Sequence, residues 1–529
     1  MWFGFLPACV ARIMIEILSI MPVSFWVVIA FLIGGGMLAW SRMADGTGLP
    51  IMAVLGTVAA WYVGDAFYND YPNHHVLIFE PGILDSAWWQ VAWFILVLIV
   101  ITPYLHDWIN RPAQTQGSGV LQLFKNGVNQ PIIQKQINSA FKGSVGVWLF
   151  LLLIALAILK DQIIYYIFPF LGYQASPWAH GQIGGGFDCL SVLAIYLQLL
   201  SATIFGVVLA MATNRRIQAL ALVFCLASWP YFIFSRTRNQ MLALIIPAIL
   251  CWVFLRLRGG MWKKLAVLGA CFLVINVWMK FVIANRSHMS ITAAFQQKGL
   301  NLSEQKKVHN EGLNMYEELC WISTFIEDGR YRVNWGQRYF AELVNPIPRG
   351  LWKGKPLIGL DYALARGHHI TGANGMVDTT ISTGMIGQGV VNFGRILGPA
   401  AAAVLMSLWV VWLARMDLQI RGFGRLPLYS LGMILTFNLG RDITLITIYP
   451  LLFGALLVYW VDRRQSGKSH MQEPVRRAKM ILAASGHVTD KMAAKPGPRL
   501  TFAVSRRSRF VGGRGTAQMQ FKQTRNPAP

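Results

Sequence analysis

Residues 345–356 read Asn-Pro-Ile-Pro-Arg-Gly-Leu-Trp-Lys-Gly-Lys-Pro, near the centre of a mostly polar stretch, 285–382, of the 529-residue chain. On both sides of that stretch the sequence consists mainly of apolar runs of about twenty residues, the length that a helix needs to cross a bilayer. The prolines of the block prevent a continuous helix, and Arg349, Lys353 and Lys355 could clasp phosphate. The alternative is a solvated connecting loop with stray charges.

The composition indicates a membrane protein. Hydrophobic residues make up 55% of the chain and charged residues 13%, against about 25% charged in a typical soluble domain. The net charge is +24, but after Asp462 there are 15 Lys or Arg against two acids, so much of the excess lies in the tail. Positive charge beside a last span is typical of a cytoplasmic segment near anionic lipids, and it argues against a nucleic-acid partner.

Hydropathy predicts an all-α polytopic fold with about eleven to twelve transmembrane helices. The residues between these helices set the predicted topology. Short basic connectors such as Asn214-Arg215-Arg216 belong on the cytoplasmic side under the positive-inside rule, which puts 285–382 outside. The predicted spans lie near 23–40, 49–67, 87–104, 145–160, 187–211, 217–234, 240–255, 264–283, 383–413, 426–441 and 443–461, and residues 3–20 are a candidate twelfth.

Four regions follow from this topology. They are N-terminal transmembrane helices (1–284), a large extracytoplasmic loop (285–382), C-terminal transmembrane helices (383–464) and a basic tail (465–529) that we expect to be disordered and cytoplasmic. The segment 120–141 has apolar residues at helical spacing with Lys and Gln between them, which predicts a helix lying at the inner interface.

Other motifs are uninformative or exclude functions. The Gly-rich stretch 181–187 has no strand before it, which disfavours a nucleotide-binding loop. The six cysteines form no close pair, so neither a disulfide nor a zinc framework is indicated. Arg12 and Glu16 interrupt what would be the apolar core of a signal peptide.

Positive charge on the predicted outer face runs against the usual topological preference, and an anionic ligand would offset its cost. Each group also has an ordinary explanation: Arg441 and Asp442 could form an ion pair in a tight turn, and Arg236 and Arg238 could reach lipid phosphates. The groups are Arg236 with Arg238, Arg286 with His288, the loop cations Arg330, Arg332, Arg338, Arg349, Lys353, Lys355 and Arg366, and Arg441.

Two segments carry a resemblance to a known family. The block 345–356 and the following Thr379-Thr-Ile-Ser-Thr-Gly-Met-Ile-Gly-Gln-Gly-Val-Val-Asn-Phe-Gly394 resemble bacterial oligosaccharide repeat-unit polymerases of the O-antigen polymerase type. The Arg236 hairpin and the late Gly-Arg441-Asp442 are similar to charged sites of that family, and the resemblance spans about 217–461. One family pattern, an Arg followed ten residues later by Gly, is not met by Arg236, Arg286, Arg338 or Arg349.

The resemblance implies a GT-C-like, metal-independent membrane glycosyltransferase without a cofactor in the bacterial inner (cytoplasmic) membrane. Such an enzyme moves a glycan from one undecaprenyl-diphosphate carrier to a sugar hydroxyl on a second carrier, on the extracytoplasmic face. Its partners would be undecaprenyl-diphosphate-linked oligosaccharides, membrane lipids, and a chain-length regulator and flippase of the same pathway. The product would be a surface polysaccharide or exopolysaccharide of the cell envelope.

The chemistry of that reaction assigns candidate roles. Cations stabilise the diphosphate leaving group, and a carboxylate or imidazole deprotonates the acceptor hydroxyl. Tryptophans could stack on sugar faces or anchor the loop at the lipid interface. The diphosphate candidates are Arg236, Arg238, Arg349, Lys355 and Arg441; the base candidates are Glu342, Asp361, His368, His369, Asp378 and Asp442; the sugar candidates are Trp335 and Trp352.

Four further alternatives remain open at this point: a metal site, a glycan ligase, a transporter, and a non-enzymatic scaffold, which would tolerate substitution of Arg349 and Arg441. His368-His369 lacks a third ligand at a recognisable spacing for a metal site. A glycan ligase would use the same donor with a different acceptor. A transporter or flippase of the lipid-linked sugar would be expected to show two similar halves with broken helices, and the sequence shows no such repeat.

Overall fold

The computed structural model shows an all-α polytopic membrane protein, as hydropathy predicts. It describes residues 20–463 apart from 70, 111–116, 127–130, 172–173, 179–187, 235–237, 285–313, 346, 349, 357–358, 368–369, 372–375, 378–380, 419, 421–424, 445–447, 449–450, 457 and 461–462. Within that part of the chain, 7 helices are long and apolar enough to cross a membrane, and Gln240–Leu255, Leu428–Leu439 and Leu451–Trp460 are shorter apolar helices.

The helices of the first half run in chain order with short connections. The second helix passes through a π-helical turn, Ala59–Val63, before it continues. Their bounds are α1 Val23–Ser41, α2 Gly48–Val58, α3 Gly64–Tyr68, α4 His75–Ile78, α5 Pro81–Asn110, α6 Gly119–Asn126, α7 Pro131–Leu159, α8 Ile163–Ile167, α9 Asp188–Met211, α10 Arg215–Ile233, α11 Arg238–Leu255 and α12 Met261–Ala284.

The second half contains the folded part of the long loop and the C-terminal helices. Two short antiparallel strands pair Ile370 with Val377. The bounds are α13 Met315–Glu327, α14 Gln337–Val344, α15 Leu360–Ala365, β1 Ile370–Thr371, β2 Met376–Val377, α16 Met385–Leu418 and α17 Arg425–Leu439.

Side-chain contacts define two ends of the helix bundle. At one end, called the loop end (the described residues of 68–86, 314–383 and 440–444), Asp65 accepts a hydrogen bond from the Glu317 N–H and Tyr316 donates to the Leu84 carbonyl. At the other, called the basic end (42–47, 117–120, 212–216, 256–264 and 415–418), Asp417 accepts from the Val120 N–H at 2.9 Å. Which end faces the cytoplasm stays a prediction from charge.

The predicted span over 383–413 coincides with helix α16, but α16 is broken at Gly394. This residue has φ 78° and ψ −178°, a conformation open essentially to glycine alone. A Cβ built on Gly389 would lie 2.1 Å from the Gly398 carbonyl oxygen, so the two arms touch backbone to backbone. The arm 385–393, here called the half-helix, folds back on the rest of α16 and is almost wholly buried.

The segment 120–141, predicted as an interfacial helix, is helical on both sides of residues 127–130, which lie outside the described residues: α6 covers it up to Asn126, and from Pro131 it forms the start of the long helix α7. The long loop is also more than a polar connector. Its helix α13 packs into the bundle, where Tyr316 stacks on Trp88 with ring centroids 4.1 Å apart.

Candidate functional site

Helix α14 buries its polar face and exposes its apolar face. Arg338 and Glu342, four residues apart, are 5% and 4% exposed, whereas Phe340 and Leu343 are 49% and 63% exposed. Residues at this spacing lie on one side of a helix. The orientation suits a helix whose outer side meets lipid and whose inner side lines a polar site.

The Arg338 guanidinium lies in this polar site with unused hydrogen-bonding capacity. Its Nη2 is 3.7 Å from Asp442 Oδ1, and the backbone of Gly359 lies against the same group. Among the described residues, its Nε and Nη1 are buried without a hydrogen-bond partner. A buried donor normally finds a partner, so the two donors that are unused among the described residues give this cation the capacity to bind an anionic group.

Asp442 is held in place from one side. The Thr383 N–H and hydroxyl donate to Asp442 Oδ1 at 3.2 and 3.1 Å. The Arg338 contact goes to the same oxygen. Within the described part of the chain Oδ2 makes no contact of this kind, and the side chain keeps 15% exposure. Within the described residues the carboxylate is therefore held through Oδ1 alone.

The backbone around Asp442 is fixed by the start of α16. The Met385 N–H donates to the Gly440 carbonyl, and the Ile386 N–H donates to the Tyr62 hydroxyl oxygen. The π-helical turn brings Tyr62 and Trp61 here, and the Trp61 indole donates to the Phe437 carbonyl at 2.8 Å. Arg441, beside Asp442, is exposed and donates from Nε to the Ser382 hydroxyl at 2.7 Å.

Tyr339 adds a neutral hydroxyl to the site. Burial raises its pKa, while the positive charge of Arg338 acts in the opposite direction. The phenol is therefore a neutral group at physiological pH. Its buried Oη has no hydrogen-bond partner among the described residues, so a further donor beside Arg338 is unused.

A third polar group, Asp361, is already engaged. It accepts hydrogen bonds from the Tyr331 hydroxyl and from Asn334 Nδ2. Burial, together with the hydrogen bond and charge of Asp361, raises the pKa of Tyr331, so that phenol also stays neutral. Both donors come from the 331–334 turn, which indicates that Asp361 ties this turn to α15.

Most other cations of the loop end have protein partners. Arg366 pairs with buried Glu318 at 3.0 Å and lies over the Trp321 ring. The Lys355 ammonium donates to the carbonyls of Asn345 and Ile347 at 2.8 and 3.0 Å, which closes the proline-rich block on itself. Arg330 pairs with Asp328 in an exposed turn. These partners are those of structural residues.

The structure brings some of the predicted site residues together and separates others. Glu342, Asp442 and Arg441 lie at the loop end, and Arg238 is the first residue of α11. Trp335 is 74% exposed and has a positive φ of 50°, and Trp352 is 36% exposed. Arg236, Arg349, His368, His369 and Asp378 lie outside the described residues.

Sequence reasoning missed Arg338 as a site residue. It counted Arg338 among seven loop cations but assigned it no role. The signal that could have found it is the spacing of Arg338 and Glu342 on a short helix whose other face, with Phe340 and Leu343, is apolar. A polar stripe on a helix next to a membrane belongs inside the protein.

A second polar cluster holds α13 against the bundle. His75 Nε2 is 3.7 Å from Asp65 Oδ1, and His74 Nε2 is 3.5 Å from Glu317 Oε2. In the part of the chain that the structure describes, no group of three His, Cys, Asp or Glu residues has the geometry to hold a metal ion. The cluster therefore connects the long loop to α3 and α4.

The chain matches no protein-family model, no curated protein and no solved structure.

Proposed function

We propose that the protein is a membrane glycosyltransferase that polymerises undecaprenyl-diphosphate-linked oligosaccharide repeat units into a surface polysaccharide. The observation that carries the proposal is the buried guanidinium of Arg338, which has two unused donors among the described residues and lies beside the Asp442 carboxylate. A cation of this kind suits a diphosphate, and a carboxylate next to it suits the acceptor hydroxyl. The positive-inside argument assigns this site to the extracytoplasmic face.

The proposed reaction is a single displacement at the anomeric carbon of the donor glycan. The acceptor hydroxyl oxygen forms a bond to that carbon, and its proton passes to Asp442 Oδ2. The bond between the anomeric carbon and the diphosphate oxygen breaks, and its electron pair stays on the diphosphate. Arg338 meets the developing negative charge, and the Tyr339 hydroxyl donates a hydrogen bond to it.

The other candidates take supporting roles in this proposal. Arg441 is exposed beside Asp442 and would make a second contact to the diphosphate from the water side. Glu342 lies on the same face of α14 as Arg338 and would complete the polar lining. Lys355 would keep the proline-rich block in shape through its carbonyl contacts rather than bind phosphate itself.

A transporter of the same lipid-linked sugar is the second candidate, and the broken helix α16 favours it. Half-helices in transporters commonly direct free N-terminal amides at an anionic substrate. Here the amides of Thr383, Met385 and Ile386 are bound by Asp442, Gly440 and Tyr62. The half-helix therefore supports neighbouring protein segments, which fits the enzyme proposal better.

The deciding experiment supplies purified protein in vesicles with lipid-linked single repeat units. We expect wild type to form a ladder of longer carrier-linked glycans and Arg338→Gln to lose about 10²- to 10³-fold in rate, because a preorganised charge contact is removed. Arg256→Gln is the matched control, since the Arg256 guanidinium at the basic end already donates to the carbonyls of Ala210, Met211 and Ala212. Wild-type vesicles that move the lipid across the bilayer without extending it would replace the polymerase by the transporter.

A glycan ligase is tested in the same system by adding a different acceptor lipid. A polymerase elongates the repeat unit without it, whereas a ligase forms product only when that acceptor is present. Deletion of the gene gives the matching result in cells: surface glycans with a single repeat unit indicate a lost polymerase.

A further inference from the structure

The half-helix carries two amide side chains that hydrogen-bond to two segments of the candidate site. These segments, here called its two walls, are the start of α14, which carries Arg338, and the turn 440–443, which carries Asp442. Gln388 and Asn392 are four residues apart, so they lie on the same side of the helix, and both are fully buried. Buried amides in a membrane protein are costly unless their hydrogen bonds are satisfied. Both are satisfied by hydrogen bonds that include backbone groups next to Arg338 or Asp442.

Asn392 holds the wall that carries Arg338. Its Oδ1 accepts from the backbone N–H groups of Arg338 and Tyr339 at 3.2 and 3.4 Å, and its Nδ2 donates to the Gln388 carbonyl at 2.7 Å. The first amides of a helix need an acceptor, and the N-cap residue Gly336 has no side chain to supply one. Asn392 therefore caps α14 from a different element.

Gln388 holds the wall that carries Asp442. Its Oε1 accepts from the Ile443 N–H at 2.8 Å, and its Nε2 donates to the Ile443 carbonyl at 3.2 Å. This two-bond pairing fixes the residue directly after Asp442. The Met385 N–H also donates to the Gly440 carbonyl, so the half-helix is hydrogen-bonded to the turn 440–443 on both sides of Asp442.

We propose that Gln388 and Asn392 are positioning residues that set the spacing between Arg338 and Asp442. This inference rests on the proposed function, since the spacing matters only if a diphosphate and an acceptor hydroxyl meet there. Each amide acts through a different wall. Loss of the Asn392 cap moves Arg338 and weakens diphosphate binding, whereas loss of the Gln388 pairing moves Asp442 and slows proton removal.

The test uses isosteric variants that remove the hydrogen bonds without opening a cavity, Asn392→Leu and Gln388→Met. Binding is measured with a C15 isoprenyl diphosphate, and turnover with lipid-linked repeat units. We expect Asn392→Leu to weaken diphosphate binding about tenfold or more and Gln388→Met to lower kcat by a similar factor while binding stays within about threefold. Crossed effects of this kind do not arise from a general loss of stability.

Ser407→Ala is the matched control. Ser407 is a fully buried residue of the same helix α16 that accepts from Thr102 and donates to the Ala403 carbonyl, and it lies far from the site. It should lower Tm without changing binding or kcat. If Asn392→Leu does not insert, Asn392→Ser is measured instead, because its hydroxyl is too short to reach both amides.

The outcomes separate this inference from the proposed function. Asn392 and Gln388 variants that lose only stability, as the control does, would overturn the positioning role while Arg338→Gln still abolishes diphosphate binding. A wild-type protein that binds no isoprenyl diphosphate and is unchanged by Arg338→Gln would overturn both. Equal loss of binding and kcat in the two variants would also overturn the inference, since it assigns them different walls.

Discussion

Arg256 at the basic end and Arg338 at the loop end use the same side chain in opposite ways. Arg256 donates to the carbonyls of Ala210, Met211 and Ala212 at the C-terminal end of α9, where carbonyls lack partners within the helix. Arg338 is more deeply buried, yet within the described residues two of its nitrogens have no acceptor. Burial alone therefore does not determine whether the donors of an arginine are used; among the described residues, Arg338 keeps two unused donors although it is the more deeply buried of the pair.

Replacing each of these two arginines by lysine should have different consequences. Lysine keeps the charge but loses the planar fork. We expect Arg338→Lys to lose about 100-fold in polymerisation rate with little change in Tm, because a bidentate contact that strengthens in the transition state is lost. Arg256→Lys should lower Tm and leave the rate within about threefold. Rates are measured at equal amounts of inserted protein.

Equal rate losses in both lysine variants would show that unused donors carry no functional information here. The cation of α14 would then be a structural residue like Arg256.

The exposed arginines give a weaker version of the same comparison. In the described part of the chain Arg441 has a single hydrogen-bond partner, the Ser382 hydroxyl, whereas Arg330 is paired with Asp328. Because solvent screens an exposed charge, we expect Arg441→Gln to lose only about tenfold in rate and Arg330→Gln to be unchanged. The measurement is initial rate at several salt concentrations, and a loss that does not shrink at high salt would contradict the screened contact.

Two exposed tryptophans extend the comparison to the sugar. Trp335 adopts a left-handed backbone conformation, which costs a bulky residue about 1–2 kcal/mol, whereas Trp262 lies in the first turn of α12 at the basic end. We expect Trp335→Gly to raise KM for the repeat unit about fivefold with no loss of Tm, since strain is relieved as the ring is removed. Trp262→Gly should leave KM unchanged.

A fall in Tm or in membrane insertion for Trp335→Gly, with KM unchanged, would make Trp335 an interface anchor instead. In that case the two tryptophans would serve the same purpose at opposite ends.

The smallest expected effect concerns pH and the docking of α13. Burial raises the pKa of Glu318 above its ordinary value, against the opposing effect of Arg366. Between the ordinary and the raised value the folded protein binds more protons than the unfolded chain, so stability falls as pH rises. Glu318→Gln should flatten this part of the Tm profile between about pH 4 and the raised pKa. An unchanged slope would assign it to other groups.

The sequence was informative about the membrane helices and less so about the site. Apolar length reveals a span because the bilayer demands it, so the predicted spans coincide with helices in the described part of the chain. The break at Gly394 escaped notice because hydropathy averages over a turn whose two arms are both apolar. Arg338 could not be recognised from the sequence, because the surroundings of its guanidinium are formed by Asp442 and Gly359, which are distant in sequence.

The half-helix also constrains the order in which the protein can be assembled. The half-helix is hydrogen-bonded to Tyr62, which is synthesised well before it, and to Gly440 and Ile443, which are synthesised after it. The ribosome must therefore synthesise helix α17 before the Gln388 side chain can form its hydrogen bonds. Until then the hydrogen bonds of that amide would be unsatisfied in the lipid core. Biogenesis of this protein should accordingly finish with a late post-insertion step, and a chain truncated before residue 440 should be recognised as incomplete by membrane quality control.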